Sequence, residues 1–276
     1  MEVLTNSTIQ WDIQSYESVD STNRIVKQAL AAGAEEGFGA TALQQQGGYG
    51  RQGRIWESPV GGLYTSLAFC PVKKGIPFEN IPLLSLVMSL AVARTLESLV
   101  EDASKIAIKW PNDVLYDGGK IAGISLEAVS GGICVGIGIN LFPNNNTGEV
   151  SGKYRLSYVR NEVVQDELST EQQNYMSEAL RGLLKEIAHA YERWVMEGFA
   201  PFIDSYRSSM AFLGSAVCLE SIDGSILCEG IIEGVDDGGL LLVRTSSGEV
   251  IHASSGEVHI KAFRASSGEV HIKALE

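Results

Sequence analysis

The segment Gly47-Gly48-Tyr49-Gly50-Arg51-Gln52-Gly53-Arg54-Ile55-Trp56 interleaves glycines with two arginines and closes on a tryptophan. Glycine lets a backbone take positive φ and come close to a ligand. The arginine guanidinium is a planar, permanently charged fork for carboxylate or phosphate oxygens. In a chain of formal net charge −13, such local positive charge asks for an anionic guest, and the segment reads as a nucleotide-phosphate loop. Its Gly48-x-Gly50-x-x-Gly53 spacing is weak evidence for a dinucleotide fold, which needs a strand-to-helix turn and an acid about 20 residues on. Here a strand follows, and Lys73 stands where the acid should be. Ile106-Ala107-Ile108-Lys109 imitates a kinase lysine strand, but it lies too far from the loop and no HRD or DFG follows. The competing reading is a plain surface loop.

A second constellation is Lys109-Trp110-Pro111-Asn112-Asp113, followed by Lys120-Ile121-Ala122-Gly123-Ile124. Lysine is a compact point charge suited to a phosphate oxygen whose charge grows in a transition state. A turn between the segments could bring both lysines to one site; the alternative is a solvated hairpin with two exposed lysines. Ser21, Thr22 and Asn23 read either as a helix N-cap or, with Gln45, as hydrogen-bonding partners for a neutral polar ligand. The four histidines, His189, His252, His259 and His271, have no metal-like or base-like setting. No Ser-His-Asp, Cys-His or zinc spacing is present.

The elements that must carry these residues follow from periodicity. Asp20–Asn23 opens a helix through Ile25, Val26, Ala29 and Leu30. Leu63 to Phe69 alternates like a strand, and Leu84, Val87, Met88, Ala91, Val92, Thr95, Leu96 and Leu99 recur at helical spacing. Ile106–Trp110 and Ile121–Ala128 are expected to form one hairpin around Asp117-Gly118-Gly119. Ile133–Leu141 is a further strand, whose Gly136 and Gly138 admit close approach. Met176, Leu180, Leu183, Ile187, Ala190 and Trp194 mark a long amphipathic helix. From Gly214 the pattern changes to short β runs: Ala216–Leu219, Ile226–Ile232, Leu240–Arg244 and Val258–Ile260. The layout is α+β followed by a small β-barrel-like domain. In the tail, Ala253–Ala262 recurs unchanged at Ala265–Ala274, too short a period for a solenoid. It reads as a tandem duplication adding a spare strand, or as a strand for a sheet edge or a neighbouring chain.

The 276 residues, 45% hydrophobic and 20% charged, suit a globular protein of one large and one small domain. The acidic balance argues against a broad nucleic-acid surface. Cys70, Cys134, Cys218 and Cys228 form no CxxC pair and read as reduced thiols of a cytoplasmic protein. No signal peptide is visible, and no apolar run of the roughly 18 residues of a membrane span is expected.

Taken in order, these segments resemble the biotin protein ligases, over about Tyr16 to Ala262. The resemblance rests on Asp20-Ser-Thr-Asn23, Gln45 to Trp56, Lys109-Trp-Pro-Asn-Asp113, Lys120-Ile-Ala-Gly-Ile124, Gly136-Ile-Gly-Ile-Asn140 and a terminal Ser-Gly-Glu-Val strand. It implies a class II aminoacyl-tRNA synthetase-like catalytic core at 1–213, an SH3-like C-terminal domain at 214–262, and a duplicated tail at 263–276. It also implies a two-step reaction. Biotin and ATP give biotinyl-5′-AMP and pyrophosphate, and a lysine of an apo biotin carboxyl carrier protein then takes the biotinyl group. Mg²⁺ is expected at the phosphates.

By position, Lys120 and Arg51 would be catalytic. Ser21, Thr22, Asn23, Gln45, Gly48, Tyr49, Gly50, Arg51, Trp56, Lys120, Gly123, Gly136 and Gly138 would form the biotin site. Arg51, Arg54, Lys109, Asn112, Lys120 and Asn140 would bind ATP, and no resident metal site is implied. Tyr49 replaces the arginine usual in the family's loop, which removes one cation. Only about fifteen residues precede the core, so a ligase without operator binding is expected, acting on no nucleic acid or membrane. The resemblance admits both monomer and homodimer. The alternatives are a lipoate ligase of shared architecture and a non-catalytic biotin-binding protein.

Overall fold

The computed structural model describes residues 9–145, 155–165, 167–221 and 223–260. The duplicated tail lies outside them. The first of two compact units runs through Ala211 and includes Val235–Gly239; the second comprises Phe212–Gly234 and Leu240 onward.

In chain order the first unit holds β1 (Asp12–Val19), α1 (Thr22–Ala31), β2 (Phe38–Gln45), β3 (Gly62–Phe69), α2 (Leu83–Glu97), β4 (Ile106–Lys109), β5 (Asp113–Tyr116), β6 (Gly119–Val129), β7 (Gly132–Asn140), α3 (Thr170–Glu197) and α4 (Ile203–Ser209). The strands form one sheet in the order β1-β2-β3-β7-β6-β5-β4. β1 and β2 are parallel, joined through α1, and the other neighbours are antiparallel.

Helix α1 buries Thr22, Asn23, Val26 and Leu30, a stripe of three- and four-residue steps that lays one face on the sheet. Val26 and Leu30 pack there with Ala40, Ala68 and Cys134. α3 begins at a capping box between Ser169 and Gln172 and buries Met176, Ala179, Leu183, Ile187, Ala190, Tyr191 and Trp194. α2 is buried on nearly every side, from Leu84 to Leu96, because it packs on both the sheet and α3. That corrects one expectation: Phe78–Glu97 is long and apolar enough to cross a membrane by composition, yet most of it is covered inside this fold.

The expected single hairpin is also corrected. β4 pairs with β5, and β5 with β6, so Asp113–Tyr116 is an intervening strand. Asp117 (φ 50) and Gly118 (φ 76) turn from β5 into β6, the left-handed pair that a two-residue hairpin turn needs. Val114 faces Ala122 while Leu115 faces Lys120, which leaves Ile121 as an extra, bulged residue.

The second unit carries β8 (Ala216–Glu220), β9 (Ile226–Val235), β10 (Leu241–Arg244), β11 (Val250–Ala253) and β12 (Glu257–Ile260), in the order β11-β10-β9-β8-β12. It is the small SH3-like β-domain. Val217, Leu219, Ile232, Leu241, Val243 and Val258 are buried at alternating positions, as the inner faces of strands require.

Candidate active site

Strand register places the site on one face of the large sheet. Lys109 lies opposite Asp113, Asp113 opposite Gly123, Gly123 opposite Gly138 and Gly138 opposite Tyr64. The next row holds Ser125, Gly136 and Ser66, and the one beyond it Glu127, Cys134 and Ala68. Simple alternation from Gly123 would send Lys120 to the other face. The extra residue Ile121 re-aims it, since a bulge resets the side-chain phase. Lys120 Nζ thereby reaches Asp113 Oδ2 at 2.7 Å and sits 5.1 Å from the centroid of Trp56. Both lysines arrive on one face, through a three-stranded meander rather than the expected hairpin. Lys109 is 4% exposed.

Gly123 and Gly138 make room here. A Cβ on Gly123 would stand 3.3 Å from Lys120 Cε and 3.1 Å from Trp56, and one on Gly138 would stand 2.7 Å from the indole. Trp56 therefore lies directly on the β6–β7 backbone. Its Nε1 is buried without an acceptor among the described residues, a donor that a ligand oxygen could satisfy.

The second row forms a neutral polar nest at the start of α1. Ser66 Oγ lies 2.6 Å from Asn23 Oδ1 and 2.7 Å from Thr22 Oγ1. Asn23 Nδ2 donates to Ser125 Oγ at 3.2 Å and to Glu127 Oε1 at 3.1 Å. Gln45 Oε1 accepts from Thr22 N and Thr22 Oγ1, while Gln45 Nε2 donates to Ser58 Oγ at 2.9 Å. Ser21 is the N-cap residue by backbone conformation, yet its side chain makes no cap bond. These polar side chains therefore serve the sheet face more than the helix end. A side chain at Gly136 would collide with Asn23 Oδ1 and come within 2.7 Å of Ser125 Oγ.

The glycine–arginine loop folds back on itself. Trp56 N donates to Gly48 O, and Gly50 N to Arg54 O; Gln52 (φ 61) and Gly53 (φ 71) make the left-handed turn. Gly48 is packed against Ser58 and Trp56, whereas nothing crowds Gly50. Arg51 Nη1 donates to Asn112 Oδ1 at 2.8 Å, and Asn112 Nδ2 donates to Ile124 O at 2.8 Å. Arg54 is exposed. Tyr49 Oη donates to Glu127 Oε1 at 2.9 Å. Lys27 Nζ meets Glu127 Oε2 at 2.5 Å and stands 5.5 Å from the Tyr49 ring centroid. The hydrogen bond to Glu127 holds the Lys27 ammonium above its ordinary pKa, and burial raises that of the Tyr49 phenol. An open cavity of about 970 Å³ runs along the limbs of the loop, with Lys27, Gln45, Tyr49, Trp56 and Glu127 in its wall.

Asn140 sits apart from the loop. Its Nδ2 donates to Lys120 O and Ser157 O at 3.2 Å each, so it joins the strand carrying Lys120 to the segment beside it. Sequence reasoning missed Lys27, Ser58, Ser66, Ser125 and Glu127, and it quoted Asp113 within the Lys109–Asp113 segment without a role. For Ser66 and Ser125 the available signal was a hydroxyl residue inside an otherwise apolar strand, as at Ser66 in Leu63-Tyr-Thr-Ser-Leu-Ala-Phe69.

The site thus pairs a neutral hydrogen-bonding nest with a cationic patch on one glycine-lined sheet face. Residues 15–144 match the Biotin/lipoate A/B protein ligase family, and residues 212–261 the Biotin protein ligase C terminal domain. The chain is 32% identical over 241 residues to a biotin–[acetyl-CoA-carboxylase] ligase of Paracoccus denitrificans, covering 84% of this chain and 94% of that one. It is 31% identical over 254 residues to the bifunctional ligase/repressor BirA of Escherichia coli K12, covering 88% and 72%. Among solved structures, the biotin protein ligase from Aquifex aeolicus in complex with biotin and ATP superposes with a TM-score of 0.72 at 29% identity, covering 91% and 98%. On the sheet face, the loop and these likenesses together, the chain belongs to the biotin protein ligase family.

Proposed function

We propose that this chain activates biotin with ATP as biotinyl-5′-AMP and transfers the biotinyl group to one lysine of a biotin carboxyl carrier protein, that of acetyl-CoA carboxylase or a related carboxylase. The observation that carries this reading is the juxtaposition on one sheet face. Lys120 lies over Gly123, and Trp56 lies across it over Gly138, one row from the Thr22–Asn23–Ser66 nest.

Biotin's ureido ring carries NH and C=O groups that need neutral partners, which Thr22, Asn23, Ser66 and Ser125 offer. Its carboxylate would then point toward Lys120. In the first step a carboxylate oxygen attacks the α-phosphorus of ATP and pyrophosphate leaves. Two anions must meet, so Lys120, Lys109 and Arg51 offset their repulsion and stabilise the charge growing on the α-phosphate oxygens. In the second step the carrier lysine attacks the acyl carbon, AMP leaves, and the new amide nitrogen loses its proton. Trp56 and the loop keep water from the mixed anhydride. Among the described residues no three His, Cys, Asp or Glu side chains gather into a metal cage. The expected Mg²⁺ therefore fits as a companion of ATP's phosphate oxygens, where it would neutralise their charge. This chemistry draws on cytoplasmic ATP, and the net charge of −13 fits a protein partner better than nucleic acid.

The test is biotin-dependent ATP–pyrophosphate exchange, followed by transfer of labelled biotin to an apo carrier domain. Exchange that needs biotin, with label appearing on one carrier lysine, is the expected result. Dependence on lipoate, or biotin binding without exchange, would overturn it.

A further inference from the structure

Glu127 is a charged residue two rows from Asp113 on this face, beside the serines and glycine of the intervening row and the small apolar residues of its own row, and both of its oxygens are engaged. Oε1 accepts from Tyr49 Oη at 2.9 Å and from Asn23 Nδ2 at 3.1 Å. Oε2 meets Lys27 Nζ at 2.5 Å. One carboxylate therefore ties α1, β6 and the Gly48–Trp56 loop together. Tyr49 also bridges Ile55 across the loop, so whatever fixes Tyr49 fixes the limb that carries Trp56.

We propose that Glu127 is a positioning residue that latches the glycine–arginine loop shut through the Tyr49 hydroxyl, with Lys27 neutralising its charge. At Tyr49, where a loop cation would be expected, this chain carries a neutral donor aimed at a fixed anion. Asn23 binds the same oxygen from the ligand nest, so the latch links the nest to the lid. A hydrogen bond to an ionised acceptor is stronger than a neutral one. Its loss should raise the open fraction of the loop about tenfold or more.

The proposal rests on the adenylate-forming reading, and its test separates the two. Biotinyl-5′-AMP is formed on the full-length enzyme, and its release is followed by rapid gel filtration. Tyr49→Phe, which removes only the hydroxyl, should speed release about tenfold, and by at least threefold more than it changes the KM for biotin. Glu127→Gln should do the same, and the double variant should add little to either single change.

Hydrogen exchange of the Gly50 and Trp56 amides gives a readout that needs no chemistry: Tyr49→Phe should raise exchange there and not in β6. Wild-type release together with wild-type loop exchange in Tyr49→Phe overturns the latch, as does full additivity of the two variants. A wild-type enzyme that forms no adenylate overturns the functional reading instead, and the exchange measurement still decides the latch.

Discussion

Replacing Lys120 by Gln removes a cation that has two separable tasks. In the folded protein it neutralises Asp113 at 2.7 Å, with the two side chains 23% and 17% exposed. In the proposed reaction it would face the charge that grows on the α-phosphate oxygens as carboxylate and α-phosphate join. A unit charge about 4 Å from that centre is worth about 4 kcal/mol at an effective dielectric near 20. Loss of one preorganised donor elsewhere costs about 2.7–4 kcal/mol, or roughly 10²–10³ in rate. Biotin-dependent pyrophosphate exchange in Lys120→Gln should therefore fall by about two to three orders of magnitude at saturating substrates. The structural task is smaller. A pair of this exposure lies between surface pairs near 0–1 kcal/mol and buried pairs near 3–5 kcal/mol. A loss of about 1–2 kcal/mol should lower the melting temperature by about 2–8 °C.

The double variant Lys120→Gln/Asp113→Asn distinguishes the two tasks. It removes the orphaned carboxylate, so most of the melting temperature should return while exchange stays low. Exchange within tenfold of wild type in the single variant, or its recovery in the double variant, would refute the electrostatic assignment of Lys120.

Gly136→Ala would drive a methyl group into Asn23 Oδ1 and to 2.7 Å from Ser125 Oγ. The overpacking costs about 1–3 kcal/mol and should weaken biotin binding about tenfold by titration calorimetry; unchanged affinity would remove Asn23 from the ligand nest. Asn112→Ala removes the acceptor of Arg51 Nη1 and strips Ile124 O of its side-chain donor, so the KM for ATP should rise about tenfold, with a smaller change for biotin. Burial pushes the Cys134 thiol up to about 12, and that of Cys70 in the same direction. A thiol reagent at pH 8 should therefore modify the buried Cys70 and Cys134 far more slowly in the native protein than in denaturant. Because these native pKa values lie above the ordinary thiol value near 8.5, their contribution to stability is complete below that pH. It declines as pH rises from about 9 toward 12, which urea midpoints across that range would show.

What the sequence disclosed depended on how each residue's role is encoded. α2 and α3 were legible because their apolar spacing is long and unbroken, and β3 because its composition is strongly apolar. β1 was not: as an edge strand with no fully buried residue it has little to bury, and Asp12–Val19 carries no clear alternation. β5 was hidden because four residues between a Pro-Asn-Asp segment and a turn cannot express a period. Its absence from the reading turned a meander into a hairpin, although the turn chemistry at Asp117-Gly118 was read correctly.

The site shows the same division. Lys120, Arg51, Thr22, Asn23 and the glycines stand in segments whose spacing is distinctive, so they stand out as candidates in the sequence. What places Lys120 beside Asp113 is a one-residue register slip at Ile121, and a slip of that kind leaves no mark on composition. Glu127 is a single acidic residue in the Ile121–Ala128 run, and its type alone names no partner. Its importance comes from three partners, at Asn23, Lys27 and Tyr49, drawn from elements far apart in the chain. Tyr49 had looked like a loss, a cation missing from a phosphate loop. The geometry gives it a positive task, since a phenol can donate to Glu127 while Lys27 holds the opposing charge. An arginine at position 49 would compete with Lys27 for that carboxylate. Tyr49 and the Lys27–Glu127 pair therefore work together on this reading: the loop has no cation at position 49 and is anchored there by a hydrogen bond to Glu127.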